Sequence, residues 1–505
     1  MSSRRRSTLV QIVGANAVLL VGVVQGLLLV PLYLSILGTE LYGYWISLGG
    51  IVSLLALADL GVTNIATQRG AKLAGAGEYV RFSQLAGTLA LWNLIASVLI
   101  VVGGLVCAYI LPDLFAAPSE YRDILFVALL VAALEVLLLL WTCGVGVLLF
   151  ALQQPTVHMT WLVVGSVLGI GVTILLLFDG WGLLSLPIGA CVRAGIPLPF
   201  NIMALRRALQ QHEVPICGRP SREMLGQFSS DAILLAPAQW LETMLAQVDS
   251  VVTLHFLGPT FVSVLDVTKK AAAVAAPFIG RVSASLLPGL AHLHGAGEES
   301  RIQGVVARLQ TVTLYGAIVY FGFVCAFNEP FVTLWAGGAL FGGQLLTFQI
   351  ACVAVLRVFK GMVYNLARAR EEVRYTAISS FVEFPLHVLL AVLLIRQDGL
   401  HGLMWAAILA GVAGLAVQIK GLSRTSISAF SFLSPQVGRC SMVLLLMMSL
   451  SVLVVPALVD GWLNLIGTGL LCALVALGSM LSFDSELRGD VRRLYHGLRA
   501  KSPLR

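Results

Sequence analysis

The sequence predicts an all-α polytopic membrane protein with about fourteen transmembrane helices. Of its 505 residues, 58% are hydrophobic and only 11% are charged, whereas soluble domains carry roughly 25% charged residues. The apolar residues form unbroken runs of about 20 residues or more, which suit membrane helices and not the alternating strands of a membrane β-barrel. The basic residues, moreover, fall between these runs with the asymmetry that orientation in a bilayer requires.

Each of the fourteen apolar runs is long enough to cross a hydrocarbon core about 30 Å thick. No soluble domain interrupts the series, since the longest internal loop covers only residues 206–223. The predicted spans cover approximately residues 9–35, 43–67, 82–110, 123–152, 156–178, 182–205, 224–256, 261–283, 304–328, 341–364, 375–395, 402–421, 439–459 and 462–483.

The first span follows a short basic stretch, as the apolar region of a secretory signal peptide does. This run is too long for a signal peptide and continues through Pro31 and Tyr33 without a small-residue cleavage site. We therefore expect it to be retained as the first transmembrane helix.

The distribution of Lys and Arg supports the span map. With the N-terminus in the cytoplasm, the cytoplasmic segments hold 24 of the 32 basic residues and the outer loops only Arg122 and Arg396. A missed or additional span would destroy this asymmetry. An even number of spans with both termini in the cytoplasm is therefore predicted, and the net charge of +7 reflects membrane orientation and not nucleic-acid binding.

A weak internal echo divides the chain into halves. Leu37-Gly38 and Leu257-Gly258 are 220 residues apart, and halves with an even number of spans enter the membrane in the same direction, as parallel repeats do. The predicted organisation is an N-terminal six-helix lobe (1–205), a cytoplasmic basic linker (206–223), a C-terminal six-helix lobe (224–421), two additional helices (422–483) and a cytoplasmic tail (484–505).

Basic side chains within the spans are the first candidates for a functional site, because charge inside a bilayer is costly. Arg193, Lys269, Lys270 and Arg357 lie near mid-depth, where a long side chain cannot easily reach the headgroups. Each of the four either lines a water-filled cavity or belongs to a structural ion pair.

Other basic residues have simpler interpretations. Arg281 and Lys360 lie nearer the cytoplasmic ends of their spans, and we expect both to extend towards the headgroups. Asp266 is three and four residues before Lys269 and Lys270, a spacing that allows a local ion pair on one helix.

The acidic residues of the spans are candidates for ion coupling. Asp231, Glu242 and Asp249 lie within roughly 20° of one another around the seventh helix, so Glu242 and Asp249 are positions that could take up a proton or Na⁺. Asp59, in the segment Ala-Asp-Leu-Gly, is expected to fix helix packing through hydrogen bonds, with a cation site as the alternative.

Several polar side chains within the first and seventh spans can contact either sugar hydroxyls or neighbouring helices. They are Asn16, Gln25, Gln239, Trp240 and Gln247.

No catalytic, metal or cofactor site is predicted. The eight Cys are dispersed without a C-x-x-C motif, and the sequence contains no nucleotide-binding glycine loop, H-E-x-x-H or D-x-D. A membrane glycosyltransferase, glycan polymerase or ligase is the enzymatic alternative, but such enzymes usually carry a substantial outer loop with acidic or His catalytic groups. The outer loops here have only about 5 to 14 residues, so no enzymatic activity is expected.

A set of residues in the opening hairpin forms a recognisable pattern: Asn16, Pro31, Leu37-Gly38, Tyr42-Gly43, Trp45 and Asp59-Leu60-Gly61. This pattern resembles the opening hairpin of the Wzx-type polysaccharide flippases, which translocate O-antigen and exopolysaccharide precursors. These proteins belong to the multidrug, oligosaccharidyl-lipid and polysaccharide exporter superfamily, whose layout of 6 + 6 + 2 spans also fits this chain. The Lys269-Lys270 pair departs from the family, where uncharged residues are expected.

This resemblance implies two lobes around a central cavity, alternating access, and a location in the bacterial inner membrane. It implies a cargo of undecaprenyl-diphosphate-linked oligosaccharide, moved from the cytoplasmic to the periplasmic leaflet. The implied partners are this lipid-linked glycan, membrane lipids, and the polysaccharide polymerase and chain-length machinery. A cation-coupled drug or small-molecule antiporter of the same superfamily is the nearest alternative.

Depth along the seventh and eighth spans suggests a further hypothesis. Asp249 lies about nine residues before their connection and Lys269 about ten after it, so the two residues are at nearly equal depth. An ion pair between Asp249 and Lys269 or Lys270 would lower the cost of both charges, and an anionic cargo would compete for the lysine.

The topology can be tested with reporter fusions. Fusions after Arg219 and Arg374 should report a cytoplasmic location, and fusions near Glu120 and Asp398 should report the outside, because the spans alternate in direction between these sites. A reversal at any of the four sites would contradict the span map.

Overall fold

In the computed structural model, the structure describes residues 3–274, 299–369, 374–423, 435–484 and 488–489. All regular secondary structure within these ranges is helical, which confirms the predicted all-α fold. Three 3₁₀ turns interrupt the series at Leu54–Asp59, Gly182–Leu184 and Gly338–Leu340. The helices are α1 (Ser3–Ser53), α2 (Val62–Gly75), α3 (Tyr79–Leu114), α4 (Ser119–Ala151), α5 (Pro155–Phe178), α6 (Ser185–Gly195), α7 (Pro197–Gln210), α8 (Arg222–Leu257), α9 (259–274), α10 (Glu299–Ala336), α11 (Gln344–Ala369), α12 (Arg374–Ser423), α13 (Pro435–Leu458) and α14 (Trp462–Phe483).

Ten helical stretches in the described residues are long and apolar enough to cross a membrane. Two of them, Val13–Gly75 with 63 residues and Arg374–Gly421 with 48 residues, far exceed the length of about 20 residues that one crossing needs. Each of these two stretches therefore contains two crossings joined by a tight turn.

The turn in α1 lies at Gly38, where φ is 76° and ψ is 169°. The rings of Tyr33 and Tyr42, on either side of the turn, have centroids 6.2 Å apart. Nine residues of continuous helix would separate them by about 13.5 Å along the axis, so the chain reverses between them. Glycine adopts the positive φ of this turn without steric cost.

The turn in α12 lies at Asp398 and Gly399, where the backbone leaves the helical conformation. Beyond it, Gly402 packs so closely on the backbone of Leu394 that a Cβ would overlap the carbonyl oxygen of Leu394. Residues eight apart in a continuous helix cannot approach in this way. The reversal falls between the predicted eleventh and twelfth spans.

The chain forms two compact units, which divide between Ser263 and Val264. The first unit contains α1 to α8 and the beginning of α9; the second contains the rest of α9 and α10 to α14. The predicted lobes at 1–205 and 224–421 and their repeat relationship stay predictions.

In the first unit, glycines allow α5 and α6 to pack backbone to backbone. A Cβ on Gly165 would lie 2.9 Å from the carbonyl oxygen of Arg193, and one on Gly169 would lie 2.6 Å from that of Gly189. Small residues four apart on a membrane helix permit such close approach. This packing fixes the position of α6 and hence of Arg193.

The outer hairpin of α8 and α9 packs on α1 within the same unit. Gly43 lies against Pro259, whose carbonyl oxygen a Cβ on Gly43 would overlap. The Ser263 hydroxyl donates a hydrogen bond of 2.5 Å to the carbonyl oxygen of Thr39. The 220-residue offset of the sequence echo relates position 43 to 263 and position 39 to 259. The residues of one contact, 43 and 259, are therefore equivalent under this offset to the residues of the other, 263 and 39.

The loop at 211–221, within the predicted linker, follows α3 closely. The Ser83 hydroxyl donates to the carbonyl oxygen of Pro215 (2.5 Å), and the amide of Gly218 donates to the carbonyl oxygen of Ser83 (2.8 Å). A Cβ on Gly87 would overlap the carbonyl oxygen of Gly218. The loop is therefore held on α3 by its backbone before α8 begins.

In the second unit, a buried ion pair joins α11 to α12. Lys360 bonds to Glu383, and their side chains are only 9% and 7% exposed. Gly414 leaves the space that the carboxylate occupies, since a Cβ there would contact Glu383. The expectation that Lys360 extends to the headgroups is therefore wrong, because the carboxylate on α12 holds its ammonium group inside the helix bundle. Arg281, for which the same was expected, lies outside the described residues.

The last two helices are attached to α10. α13 packs along α10, and Asp484, which follows α14, accepts a hydrogen bond of 3.2 Å from the Tyr315 hydroxyl on α10. Arg308 on α10 lies 3.5 Å from the same carboxylate. Polar contacts thus fix the end of α14 to the second unit.

The close approach at Gly43 predicts a strong effect of a single methyl group. We expect Gly43→Ala to lower stability by about 1–3 kcal/mol, because the added Cβ overlaps a backbone carbonyl that cannot move independently. Gly49→Ala is the control, since its Cβ meets only the ring of Trp45 at an ordinary 3.6 Å. Thermal unfolding of the purified protein checks this, and equal melting temperatures for the two variants would contradict the packing.

The buried pair on α11 and α12 predicts non-additive mutations. Lys360→Met should destabilise the protein by about 3–5 kcal/mol, because it leaves the Glu383 carboxylate buried without its counter-charge. Adding Glu383→Leu should restore most of the loss. Arg81→Met, which removes an exposed pair with Glu78, should cost at most about 1 kcal/mol. Additive losses in thermal unfolding would show that the pair is not coupled.

Candidate functional site

Among the described residues, three ion pairs between charged side chains of the predicted spans can be compared by their exposure. One is buried, one is partly exposed on both sides, and one is exposed mainly on its cationic side. In that order, the pairs are Lys360–Glu383, Lys270–Asp266 and Arg193–Glu135.

Arg193 on α6 pairs with Glu135 on α4. The guanidinium Nη2 donates to the carboxylate Oε1 over 2.8 Å. The Arg193 side chain is 41% exposed, whereas that of Glu135 is 19% exposed. The arginine side chain is thus the more exposed member of the pair.

Contacts on both sides of Arg193 hold the backbone of α6 in place. The thiol of Cys191 donates to the carbonyl oxygen of Val131 over 3.3 Å, one turn before Glu135 on α4. The hydroxyl of Thr142 donates to the carbonyl oxygen of Ala194 over 2.7 Å. With the glycine packing of α5, these bonds fix the origin of the Arg193 side chain.

Arg193 lies near the middle of the predicted membrane span. Arg193 lies eleven residues after Gly182, where the sixth span begins at its predicted outer end, which corresponds to about 16 Å of helix. This distance is close to half the hydrocarbon thickness of about 30 Å. An exposed guanidinium group at this depth is tolerated where it faces a water-filled cavity and not lipid.

On α9, Lys270 bonds to Asp266 one turn earlier, over 3.2 Å, and both side chains are 22% exposed. The predicted local pairing at i, i+4 is thus confirmed for Lys270. The opposite face of the helix is packed on α10, because Thr268 accepts from Asn328 and Ala272 accepts from Tyr320.

Lys269 and Arg357 differ from each other in their exposure. Lys269 is half-buried beside Lys270 on α9, and Arg357 on α11 is exposed. Three residues after Arg357, Lys360 is buried against Glu383. Adjacent cations on one helix therefore have opposite environments, which their spacing alone does not reveal.

The acidic positions of α8 also differ in burial. Glu242 is exposed, and Asp249 is 3% exposed where α8 crosses α1. At this crossing the Ser47 hydroxyl donates to the carbonyl oxygen of Ser250 over 2.9 Å. The side chain of Asp231 lies outside the described residues. Pairing of Asp249 with either lysine stays a prediction.

Asp59 lies at a break in the second span. Leu60 and Gly61, with φ of 54° and 76°, separate the 3₁₀ turn from α2. The Asp59 carboxylate accepts hydrogen bonds from the hydroxyl of Thr63 (2.7 Å) and from its amide (3.3 Å). The indole of Trp92 on α3 donates to the carbonyl oxygen of Asp59 (3.2 Å). Asp59 therefore caps α2, and these bonds agree with the packing interpretation.

The remaining polar candidates have mixed surroundings. Asn16 and Gln25 are half-buried on α1, and the side chain of Gln239 lies outside the described residues. Gln247 packs on α1, since its Oε1 lies 2.6 Å from the position of a Cβ on Gly50. The buried indole nitrogen of Trp240 has no hydrogen-bond partner among the described residues.

The pairing of Glu135 with Arg193 was not predicted from the sequence. The signal present in the sequence is a pair of opposite charges near equal depth on two spans, here the fourth and the sixth. The sequence does not specify that α4 and α6 are neighbours, because a loop and all of α5 separate them.

Comparison with known proteins identifies the fold. No protein-family model matches the chain, and no curated protein is significantly similar to it in sequence. Several solved structures are similar to it in three dimensions.

The lipid II flippase MurJ, in an inward closed conformation, has a TM-score of 0.70 and 14% identity, with 96% of this chain and 99% of that chain covered. An inward-facing multidrug resistance MATE family transporter of the MOP superfamily has a TM-score of 0.64 and 17% identity, covering 80% and 94%. A MATE structure in a bent conformation has a TM-score of 0.58 and 16% identity, covering 87% and 96%. The chain thus has the same fold as this lipid flippase and these transporters.

Proposed function

We propose that this chain is an alternating-access flippase for undecaprenyl-diphosphate-linked oligosaccharides. It moves them from the cytoplasmic to the periplasmic leaflet of a bacterial inner membrane during cell-surface polysaccharide synthesis. The observation that carries the proposal is the partly exposed side chain of Arg193 near mid-depth, in a fold that is similar to a lipid flippase over nearly the whole chain.

A lipid diphosphate requires such a residue. Its phosphates lose hydration when they cross the low-dielectric part of the bilayer, and fixed cations in a wet cavity offset this loss. Arginine presents a planar fork of N–H donors to phosphate oxygens, and lysine presents a mobile point charge. We assign this role to Arg193, Lys269, Lys270 and Arg357.

The other elements of the proposal follow from the cargo. Asn16, Gln25, Gln239 and Trp240 are assigned to sugar hydroxyls, whereas Gln247 packs on α1. Both termini lie in the cytoplasm, and polysaccharide polymerase and chain-length proteins receive the product on the outer side. Translocation makes and breaks no covalent bond, so the protein needs no catalytic residue.

A cation-coupled antiporter is the second candidate, favoured by the similar fold of the MATE transporters. Glu242, Asp249 and Asp59 would then bind protons or Na⁺. Exposed and half-buried cations within the spans disfavour a cationic cargo. They would repel it, and Coulomb repulsion is strongest in the low-dielectric interior of the membrane. Ion coupling by these acidic residues is compatible with the flippase.

Neutralising the mid-depth cations should abolish glycan export. In a strain lacking this gene, we expect a lipid-linked oligosaccharide to accumulate in the cytoplasmic leaflet. The quadruple variant Arg193→Gln, Lys269→Gln, Lys270→Gln, Arg357→Gln should fail to relieve this accumulation. The reason is the loss of the charges that offset phosphate dehydration. The measurement is the amount of precursor and of surface polysaccharide.

The matched control is Arg81→Gln with Arg122→Gln, which neutralises cations beyond the ends of the spans. This variant should restore export in the deletion strain. Full export by a folded quadruple variant would contradict the electrostatic mechanism, and accumulation of a cationic drug in place of a glycan would favour the antiporter.

A further inference from the structure

The Arg193–Glu135 pair leaves most of its hydrogen-bonding capacity unused. Arginine has five N–H donors, and in the described residues only Nη2 of Arg193 bonds to a side-chain acceptor. The Arg193 side chain is the more exposed partner, at 41% against 19% for the side chain of Glu135. The bond to Glu135 therefore leaves further donors for a ligand on a side chain that is not buried.

The direction of the side chain is also restricted. The bonds from Cys191 to Val131 and from Thr142 to Ala194 hold the backbone of α6 on both sides of Arg193. Glu135 then fixes the far end of the side chain. An arginine held at both ends loses little conformational freedom when a ligand binds.

We propose that Glu135 is a positioning residue that holds Arg193 so that its remaining N–H groups form a binding site for a phosphate oxyanion. The inference rests on the proposed function, and it assigns this site to the diphosphate headgroup of the lipid-linked cargo. Arg193 contacts the phosphate oxygens, and Glu135 acts through Arg193.

The carboxylate also moderates affinity. The pair has no net charge, so the diphosphate is held by directed, charge-assisted hydrogen bonds more than by a long-range field. A negative charge next to the site weakens anion binding through Coulomb repulsion. A flippase has to release its cargo on the other side of the membrane, and Glu135 favours that release.

The buried Lys360–Glu383 pair provides an internal comparison. Its side chains are 9% and 7% exposed, so no ligand reaches either charge, and its role is to hold α11 and α12 together. A change at this pair should affect folding alone, whereas a change at Arg193–Glu135 should affect ligand binding in folded protein.

The test measures binding to the full-length protein in lipid nanodiscs. The probes are undecaprenyl diphosphate, undecaprenyl monophosphate and inorganic pyrophosphate. We expect Arg193→Gln to weaken binding of undecaprenyl diphosphate about tenfold or more, since hydrogen bonds to charged groups are lost. Arg193→Lys keeps the charge if the glutamine variant does not fold, and it should weaken binding because a lysine has no planar fork.

Glu135→Gln separates positioning from a structural role. The amide oxygen still accepts from Arg193, but the negative charge is gone. We expect tighter binding of the diphosphate and slower export, so that the half-saturating concentration and the maximal rate both fall. A lower rate with unchanged affinity would overturn the role of Glu135.

A charge exchange gives the final comparison. Arg193→Glu with Glu135→Arg restores an ion pair but moves the cation to α4, so we expect folded protein with neither diphosphate binding nor export. Lys360→Glu with Glu383→Lys should restore folding and export together. Full export by the first exchange would overturn the proposal.

The outcomes for this inference and for the proposed function differ. If Arg193→Gln binds undecaprenyl diphosphate as wild type does, while deletion of the gene still accumulates lipid-linked glycan, the oxyanion site is wrong and the flippase proposal stands. Binding of inorganic pyrophosphate as tight as that of undecaprenyl diphosphate would overturn the assignment to a lipid headgroup. If deletion accumulates no lipid-linked glycan, the proposed function fails and this inference fails with it.

Discussion

An ionised side chain inside a bilayer has to be paired with an opposite charge or be in contact with water, and much of this structure follows from that requirement. Lys360 satisfies it by pairing with Glu383 inside the second unit, where neither side chain is accessible. Arg193 satisfies it in both ways, since it bonds to Glu135 and remains substantially exposed. The same physical cost therefore produces a structural ion pair at one site and a candidate binding site at the other.

Close backbone packing makes such pairs possible. Gly165 and Gly169 bring α5 against α6, and Gly414 leaves the space that Glu383 occupies on α12. A charged residue can be satisfied within the bundle only if its helix approaches the partner helix closely enough for a hydrogen bond. The small residues thus contribute to ion pairing, although they carry no charge themselves.

The graded exposure of the ion pairs connects this packing to function. A buried pair holds two helices of its unit together, and a partly exposed arginine near mid-depth can exchange water for the oxygens of an anion. The break at Asp59 is a second structural feature of the spans, because the second span consists of two helical segments joined at Leu60 and Gly61. Its carboxylate caps the following helix and so stabilises the backbone where the span is interrupted.

The sequence by itself determined the all-α membrane fold. Hydrophobic runs are a local property of the sequence, and a run of about 20 residues has the length that a helix needs to span the bilayer. The sequence also located the turns near Gly38 and Asp398, where the apolar runs end, and the pairing of Lys270 with Asp266, which depends only on helical spacing. It could not determine the break after Asp59, since an unwound segment within a span keeps the same apolar composition. Only the tertiary structure decided that Lys360 is buried and that Arg193 meets Glu135, because both facts depend on which helices are neighbours, and the order of spans along a chain does not specify their arrangement in the bundle.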